Sequence, residues 1–227
     1  AAPIVQYMSR KQLEKSIERT KKLMQEAAKK LDFIEAAQYR DEVLKMEELL
    51  KDRRGNLTLT NINGLCRIAL DKLKKTYEQD IQEKNIRIVF DNLTLSLMME
   101  VNVEQFSKVL AGILKNSMYA LLKKSETVTF SPEIFLGLKV NKDMLEITIR
   151  DNGSGIDENI KDKIFAPFFT TKTTGEAAGV GLYLCREIVQ NHRGTIEVES
   201  KKGEYTQFLI TIPVYQPKTI TPPKEEE

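Results

Sequence analysis

Four short elements in the C-terminal half of the chain carry residue types that could bind a nucleotide. The first is Asn116 in the apolar run KVLAGILKNSMYAL; its amide oxygen could be a ligand of Mg²⁺, which prefers oxygen, or it could simply face solvent. The second is the sequence DNGSG, in which Gly153 and Gly155 let the backbone turn sharply. Asp151, which opens it, could accept a hydrogen bond from an exocyclic amine. DNG is also a common turn sequence.

The other two elements follow closely along the chain. The sequence IFAPFFTTK (164–172) joins two phenylalanines, expected to anchor a loop, to Lys172, which could contact phosphate as a point charge. Gly179 and Gly181 then come directly before an expected helix, and backbone N–H groups at a helix N-terminus favour phosphate oxygens. Each element alone is weak evidence, so the prediction of a nucleotide site rests on their combination.

The surrounding sequence predicts the helices and strands that would position these elements. A polar stretch at 170–179 is placed where a lid could cover a ligand. The order of elements favours a two-layer α/β sandwich with a mixed sheet. Amphipathic patterns predict helices over 65–82, 103–124 and 180–191, and alternating patterns predict strands over 86–91, 133–140, 144–150, 195–199 and 206–213.

In this order and spacing, the four elements resemble the N, G1, F and G2 boxes of the histidine-kinase ATP-binding family (GHKL/HATPase superfamily). The resemblance covers about residues 56–214, and GVGLYLCREIVQNHRG after PFFTTK is closer to sensor kinases than to the gyrase, mismatch-repair or chaperone branches. It implies a Bergerat ATP-binding fold with ATP and Mg²⁺ as ligands. By position, Asn116 would ligate Mg²⁺, Asp151 would bind adenine, and Gly153 and Gly155 would shape the pocket.

The resemblance also assigns residues to the lid, the phosphates and the base: Lys172, Gly179, Gly181 and Leu182, with Thr206 near the base. Two departures from the family pattern stand out. Gly112 replaces an asparagine that the family usually has one turn before Asn116, and the lid sequence GEAAGVG has fewer Gly and Thr residues than usual.

A histidine kinase also needs an acceptor histidine, and the single histidine of this chain is His192. Its place in QNHRG resembles a common structural histidine of the ATPase domain. In-line phosphoryl transfer needs a positioned nucleophile. We therefore expect the chain to bind ATP without autophosphorylating, with no catalytic residue of its own. The resemblance implies a His-containing dimerisation domain and a response regulator as partners.

Residues 9–53 predict an antiparallel helical hairpin, because they contain no Gly or Pro and carry two apolar runs at helical spacing. Ser9 is a candidate N-cap, and the turn is expected at Leu31-Asp32-Phe33, with Asp32 capping the second helix. The run AAKKLDFIEAAQYRDE resembles the UVR motif at the C-terminus of the UvrB excision-repair helicase, over residues 3–53. That resemblance implies pairing with a UvrC-like partner or with itself.

The chain is thus expected to have a hairpin at 1–54, an ATP-binding domain at 55–216 and a disordered tail at 217–227. The combination favours an engineered fusion or two fragments joined at Arg54 and Gly55 over a natural kinase with a borrowed hairpin. Besides a histidine kinase domain, the open alternatives are a UvrB/UvrC-type interaction module in nucleotide excision repair and an anti-sigma-type serine kinase. The sequence PFFTTK argues against the last.

Composition and charge argue against several other kinds of protein. The formal net charge is +2, from 35 basic and 33 acidic side chains, which argues against a nucleic-acid-binding surface. The longest apolar stretches fall short of the roughly 20 residues of a membrane span. The N-terminus lacks a signal-peptide pattern, and Cys66 and Cys185 lie in amphipathic patterns that predict buried, unpaired thiols. We therefore expect a cytoplasmic protein.

Overall fold

The computed structural model of the protein describes residues 10–54, 57–170 and 181–214. The predictions for Ser9, most of the lid and the tail from residue 217 lie outside the described residues. Within these ranges the helices and strands, in chain order, are α1 (Arg10–Lys29), α2 (Phe33–Arg54), β1 (Thr58–Asn61), α3 (Ile62–Thr76), α4 (Glu78–Lys84), β2 (Arg87–Asp91), β3 (Met98–Val101), α5 (Val103–Ser125), β4 (Glu133–Asn141), β5 (Met144–Asp151), α6 (Glu158–Lys161), α7 (Gly181–Asn191), β6 (Thr195–Lys201) and β7 (Tyr205–Pro213).

Helices α1 and α2 form the predicted antiparallel hairpin. Its turn is where the sequence indicated it: Leu31 adopts a left-handed conformation with φ 61°, and Asp32 Oδ1 accepts a hydrogen bond from the Glu35 N–H at 3.0 Å. This is the expected N-cap of α2. A small apolar cluster holds the two helices together: Leu13, Ile17, Val43 and Met46.

The main sheet has five strands in the order β2-β4-β5-β7-β6. Strands β2 and β4 are parallel and the other pairs are antiparallel, so the sheet is mixed as expected. Alternate residues of β5 are buried, namely Leu145, Ile147 and Ile149, which marks the face covered by the helices. Helix α5 packs against β4 and β5, α7 packs against β6, and α3 packs against α5. The result is the predicted two-layer α/β sandwich.

One local prediction was wrong, and one small sheet was missed. The predicted helix over 65–82 is two helices, because the chain breaks at Tyr77, with φ −115° and ψ 30°, between α3 and α4. The small antiparallel sheet of β1 and β3 was not predicted. Each of these strands has only four residues, too few to show a clear alternation.

Candidate nucleotide site

Asp151 is the last residue of β5 and is only 2% exposed. It lies opposite Thr206 of β7 in the sheet register, and its Oδ1 accepts a hydrogen bond from the Gly153 N–H at 3.0 Å. Burial raises the pKa of Asp151 from 3.8 to about 6, although the Ser117 hydroxyl, the Gly153 N–H and the Lys124 charge lower it. At pH 7 the side chain is mostly a buried carboxylate that can accept further hydrogen bonds.

Ser117 of α5 is part of this environment, and sequence reasoning missed it. Its hydroxyl is buried, with the residue 1% exposed, and makes no hydrogen bond of normal geometry to the described part of the chain. It still lies close enough to the Asp151 carboxylate to lower the pKa of that group. A buried hydroxyl without a partner is costly, so a small rotation that lets Ser117 donate to the Asp151 carboxylate would be favourable. Its position next to Asn116 was the available signal.

The two glycines after Asp151 are required by close packing of the loop. A Cβ on Gly153 would lie 2.7 Å from the backbone carbonyl carbon of Ala120 in α5. Gly155 has φ +63°, and a Cβ there would lie 2.2 Å from the carbonyl oxygen of Lys201. The Gly203 N–H also donates to the carbonyl oxygen of Ser154 at 2.7 Å. The loop is therefore held between α5 and the β6–β7 turn, a reason for glycine that is separate from any ligand contact.

A buried hydroxyl pair lies on the β6–β7 side of the loop. Thr206 Oγ1 is 3.1 Å from Ser200 Oγ, which itself donates to the Tyr205 carbonyl oxygen at 2.7 Å and accepts from the Ile156 N–H at 2.8 Å. Because the Ser200 proton is used on Tyr205, Thr206 is the donor within the pair and keeps its acceptor capacity. Ser200 was not among the predicted site residues.

Asn116 is half-buried on α5. Ala120, one turn later on the same face of the helix, touches the glycine loop at Gly153. The structure thus brings Asn116 to the same side of α5 as Asp151. Among the described residues, no three His, Cys, Asp or Glu side chains are close enough to hold a metal ion. A Mg²⁺ ion here would therefore need ligand oxygens in addition to the Asn116 amide.

Gly181 and Leu182 begin α7, where Gly181 is exposed and Leu182 packs against the core. A Cβ on Gly181 would meet no atom of the described residues within 4 Å. Lys172 and Gly179 lie outside the described residues, and their predicted contacts with phosphate stay predictions.

Gly112, which stands where the family usually has an asparagine, packs closely against α7. A Cβ on Gly112 would lie 3.2 Å from Cys185 Sγ, which is tighter than ordinary contact. Cys185 and Cys66 are both buried and unpaired, as expected. Burial raises the pKa of the Cys185 thiol to about 11, so this side chain remains a neutral thiol that fills the space beside α5.

The phenylalanines of the third element do not act as a pair, which corrects one expectation. Phe169 is partly buried against the core, but Phe168 is 79% exposed and has φ 63°. The main anchor is instead Phe165, which is buried and meets Phe208 of β7 edge to face at 6.3 Å.

His192 has a structural role, because both of its ring nitrogens are engaged. Nε2 accepts a hydrogen bond from the Asn102 N–H at 3.0 Å, and Nδ1 donates to the carbonyl oxygen of Ile188 at 2.8 Å. The ring also meets Phe106 edge-on. The histidine thereby supports Asn102, whose side chain caps α5.

Comparison with known proteins shows to which family the C-terminal half of the chain is similar. A family model described as histidine kinase-, DNA gyrase B-, and HSP90-like ATPase matches residues 102–216, just over half of the chain. The chain belongs to this family. It is 28% identical over 172 residues to the sensor histidine kinase ZraS of Escherichia coli, covering 76% of this chain and 34% of ZraS. It is 35% identical over 149 residues to cyanobacterial phytochrome A of Nostoc, covering 64% of this chain and 18% of that protein.

Solved structures agree with this assignment. The catalytic domain of the histidine kinase ThkA, in a nucleotide-free form, has a TM-score of 0.57 and 28% identity, covering 70% of this chain and 95% of that one. The mycobacterial sensor histidine kinase MprB has the same TM-score with 15% identity and shows the fold alone. Residues 102–216 and their flanking elements therefore form a histidine-kinase ATP-binding domain, as the sequence indicated.

The hairpin matches a different model, the UvrB/uvrC motif, over residues 14–49. It is 77% identical over 53 residues to UvrABC system protein B of Bacteroides fragilis, covering 23% of this chain and 8% of that protein. Both resemblances found in the sequence are thus confirmed. The chain spans only a small part of the UvrB relatives and about a third or less of the kinase relatives. No helix among the described residues is long and apolar enough to cross a membrane.

Proposed function

We propose that residues 55–216 bind ATP with Mg²⁺ and act as the catalytic domain of a sensor histidine kinase. The γ-phosphoryl group would pass to a histidine outside this chain. The observation that carries the proposal is the buried carboxylate of Asp151, which ends β5 beside the close-packed glycine loop and opposite Thr206. Membership of the ATPase family and the kinase relatives support it.

Asp151 is suited to bind adenine. As a carboxylate it only accepts hydrogen bonds, and the adenine amine is a donor, whereas guanine has a carbonyl oxygen at the corresponding position. The Gly153 N–H donates to Oδ1 of the carboxylate and so helps to orient it. Thr206, with acceptor capacity left, would lie near the base.

The phosphate end of the site depends on Asn116, Lys172, Gly179, Gly181 and Leu182. Asn116 would supply an amide oxygen to Mg²⁺, and the remaining ligands would come from phosphate and water. When bound, the ion neutralises phosphate charge during transfer. Lys172 would add a positive charge, and backbone N–H groups at the start of α7 would favour phosphate oxygens.

The acceptor histidine would belong to a His-containing dimerisation domain, and a response regulator would receive the phosphoryl group afterwards. His192 does not serve this purpose, because its ring nitrogens hold Asn102 and Ile188 and its side chain is buried. The chain alone would therefore bind ATP but show no autophosphorylation.

Transfer in trans tests the catalytic part of the proposal. The chain is incubated with γ-labelled ATP, Mg²⁺ and a separate His-containing dimerisation domain from a sensor kinase such as ZraS. Acid-labile label on the added domain, absent when its histidine is replaced, is the expected result. Acid-stable label on a serine of an added partner would instead favour the serine-kinase alternative.

A second candidate function rests on the hairpin alone. Its cluster of buried side chains is small, while Leu31, Phe33, Ile34 and Leu44 are exposed. Small apolar units of this kind usually need a partner to bury their surface. We propose that residues 9–53 pair with a UvrC-like segment or with a second copy. A pull-down with a UvrC segment tests the first partner, and sedimentation that shows a monomer at high concentration would contradict the second.

A further inference from the structure

Helices α3 and α5 leave a cleft of about 310 Å³ between them. Its floor is apolar and consists of Ala69 and Leu73 from α3 with Ala111 and Leu114 from α5. Ile68 forms part of the wall and is 53% exposed, which is high for a large apolar side chain in this domain. Ala69, Leu73 and Leu114 are buried, so the accessible apolar surface of the α3–α5 cleft belongs mainly to Ile68 and the half-buried Ala111.

The lining of the α3–α5 cleft carries charge of one sign. Lys72, Lys75 and Lys115 all line it and are exposed, and no Asp or Glu lines it. None of the three lysines forms an ion pair with a residue that the structure describes. Since the whole chain has a net charge of only +2, three lysines around one cleft are a local concentration of positive charge.

The helix end at the α3–α5 cleft does not cancel this charge. Thr76 Oγ1 donates to the Lys72 carbonyl oxygen at 2.8 Å, and the Tyr77 N–H donates to the Leu73 carbonyl oxygen at 3.0 Å. The Leu73 carbonyl, one of the last four of α3, is thus satisfied within the chain. The charged side chains that line the cleft are thus the three lysines.

We propose that the α3–α5 cleft binds a small organic anion with an apolar body, such as a medium-chain carboxylate or alkyl phosphate. The apolar body would lie against Ile68 and Ala111, above the buried floor, and the anionic head would lie among the lysines. The volume is at the small end of the range for ligand pockets and suits a single small molecule. A docking helix would need a longer groove with several anchor sites.

The α3–α5 cleft is separate from the proposed nucleotide site, although both use α5. Ala111 and Lys115 face the cleft, whereas Ala120 faces the glycine loop beside Asp151. Binding in the cleft can therefore be measured without nucleotide, and it does not depend on Asp151. A variant with Asp151→Asn should bind nucleotide about tenfold more weakly and keep the cleft ligand, so failures of the two proposals are distinguishable.

The test uses calorimetry and amide chemical shifts with three ten-carbon probes below their micelle concentrations: decanoate, decyl phosphate and decylammonium. Decanoate or decyl phosphate should bind with a dissociation constant of about a millimolar or less and shift amides of α3 and α5. The stronger of the two anions identifies the head group. Decylammonium has the same apolar body with the opposite charge and should not bind.

Matched variants assign the binding to the α3–α5 cleft. Lys72→Glu with Lys75→Glu should weaken anion binding by about tenfold or more, because two attractive charges become repulsive. Lys74→Glu with Lys139→Glu makes the same charge change at exposed positions outside the cleft and should change it less than about twofold. The proposal would be overturned if the two double variants weakened anion binding equally, or if decylammonium bound as tightly as the anions. It would also be overturned if neither anion bound.

Discussion

Replacing Gly155 by alanine tests how the loop beside Asp151 is held. Two effects of this substitution should each lower the stability of the domain. A left-handed residue other than glycine costs about 1–2 kcal/mol. The added Cβ would also lie 2.2 Å from the carbonyl oxygen of Lys201, so β6 or the loop must move. Overpacking of this kind costs about 1–3 kcal/mol more. Gly155→Ala should therefore destabilise the domain by about 2–5 kcal/mol in total.

Gly203 provides the matched control for this change. It also has a positive φ, +80°, but a Cβ there would meet no atom within 4 Å. Gly203→Ala should therefore carry only the backbone cost of about 1–2 kcal/mol. Urea unfolding of both variants measures the difference, with the slope m as a check that both unfold in the same way. Equal losses of stability for the two variants would refute the close packing of Gly155 against β6.

Three further predictions concern single groups. Between pH 4 and 6 the folded state binds the Asp151 proton more tightly than the unfolded state, since burial raises the pKa of Asp151 from 3.8 to about 6. The contribution of Asp151 to the free energy of unfolding is full below pH 4 and is lost as pH rises to 6. The free energy of unfolding of Asp151→Asn, measured by urea titration, should therefore rise by about 2–3 kcal/mol relative to that of wild type between pH 4 and pH 6. A difference between the two proteins that does not change with pH would contradict this. Gly112→Asn should lower the free energy of unfolding by about 1 kcal/mol, because the new side chain crowds Cys185. Cys185→Ala should remove this loss, which a double-mutant cycle measures as coupling between the two positions. Additive effects of the two substitutions would count against a contact between residues 112 and 185. His192→Ala should cost about 2–4 kcal/mol in thermal unfolding, because it leaves the Asn102 N–H unpaired and a cavity beside Phe106; a neutral change would refute that role.

The long elements were predictable from sequence because their periodic patterns are strong. Helix α5 and strands β4 and β5 begin where predicted and end within one residue of the predicted ends. The hairpin turn was also predictable, because Asp32 is a good N-cap and no other break occurs nearby. Strands β1 and β3 were missed since four residues carry too little pattern, and the break at Tyr77 lacks the Gly or Pro that would mark it.

The residues of the candidate site that could be predicted are those whose type and spacing along the chain indicate their role. Asp151, Gly153 and Gly155 follow one another along the chain and form one loop in the structure. Ser117 and Ser200 were not predictable, because their importance comes from burial and from contacts between distant elements. The exposure of Phe168 was likewise hidden, since the sequence does not show which of two adjacent aromatic residues faces the core.

Calorimetric titration with ADP and an ATP analogue, with and without Mg²⁺, tests the central claim most directly. Wild type should bind both, more tightly with Mg²⁺, and Asp151→Asn should weaken binding by about tenfold or more through loss of a charged hydrogen-bond acceptor. Asp91→Asn, at the exposed end of the edge strand β2, should leave binding unchanged. No binding at millimolar nucleotide, or equal binding by wild type and Asp151→Asn, would contradict an adenine site at Asp151.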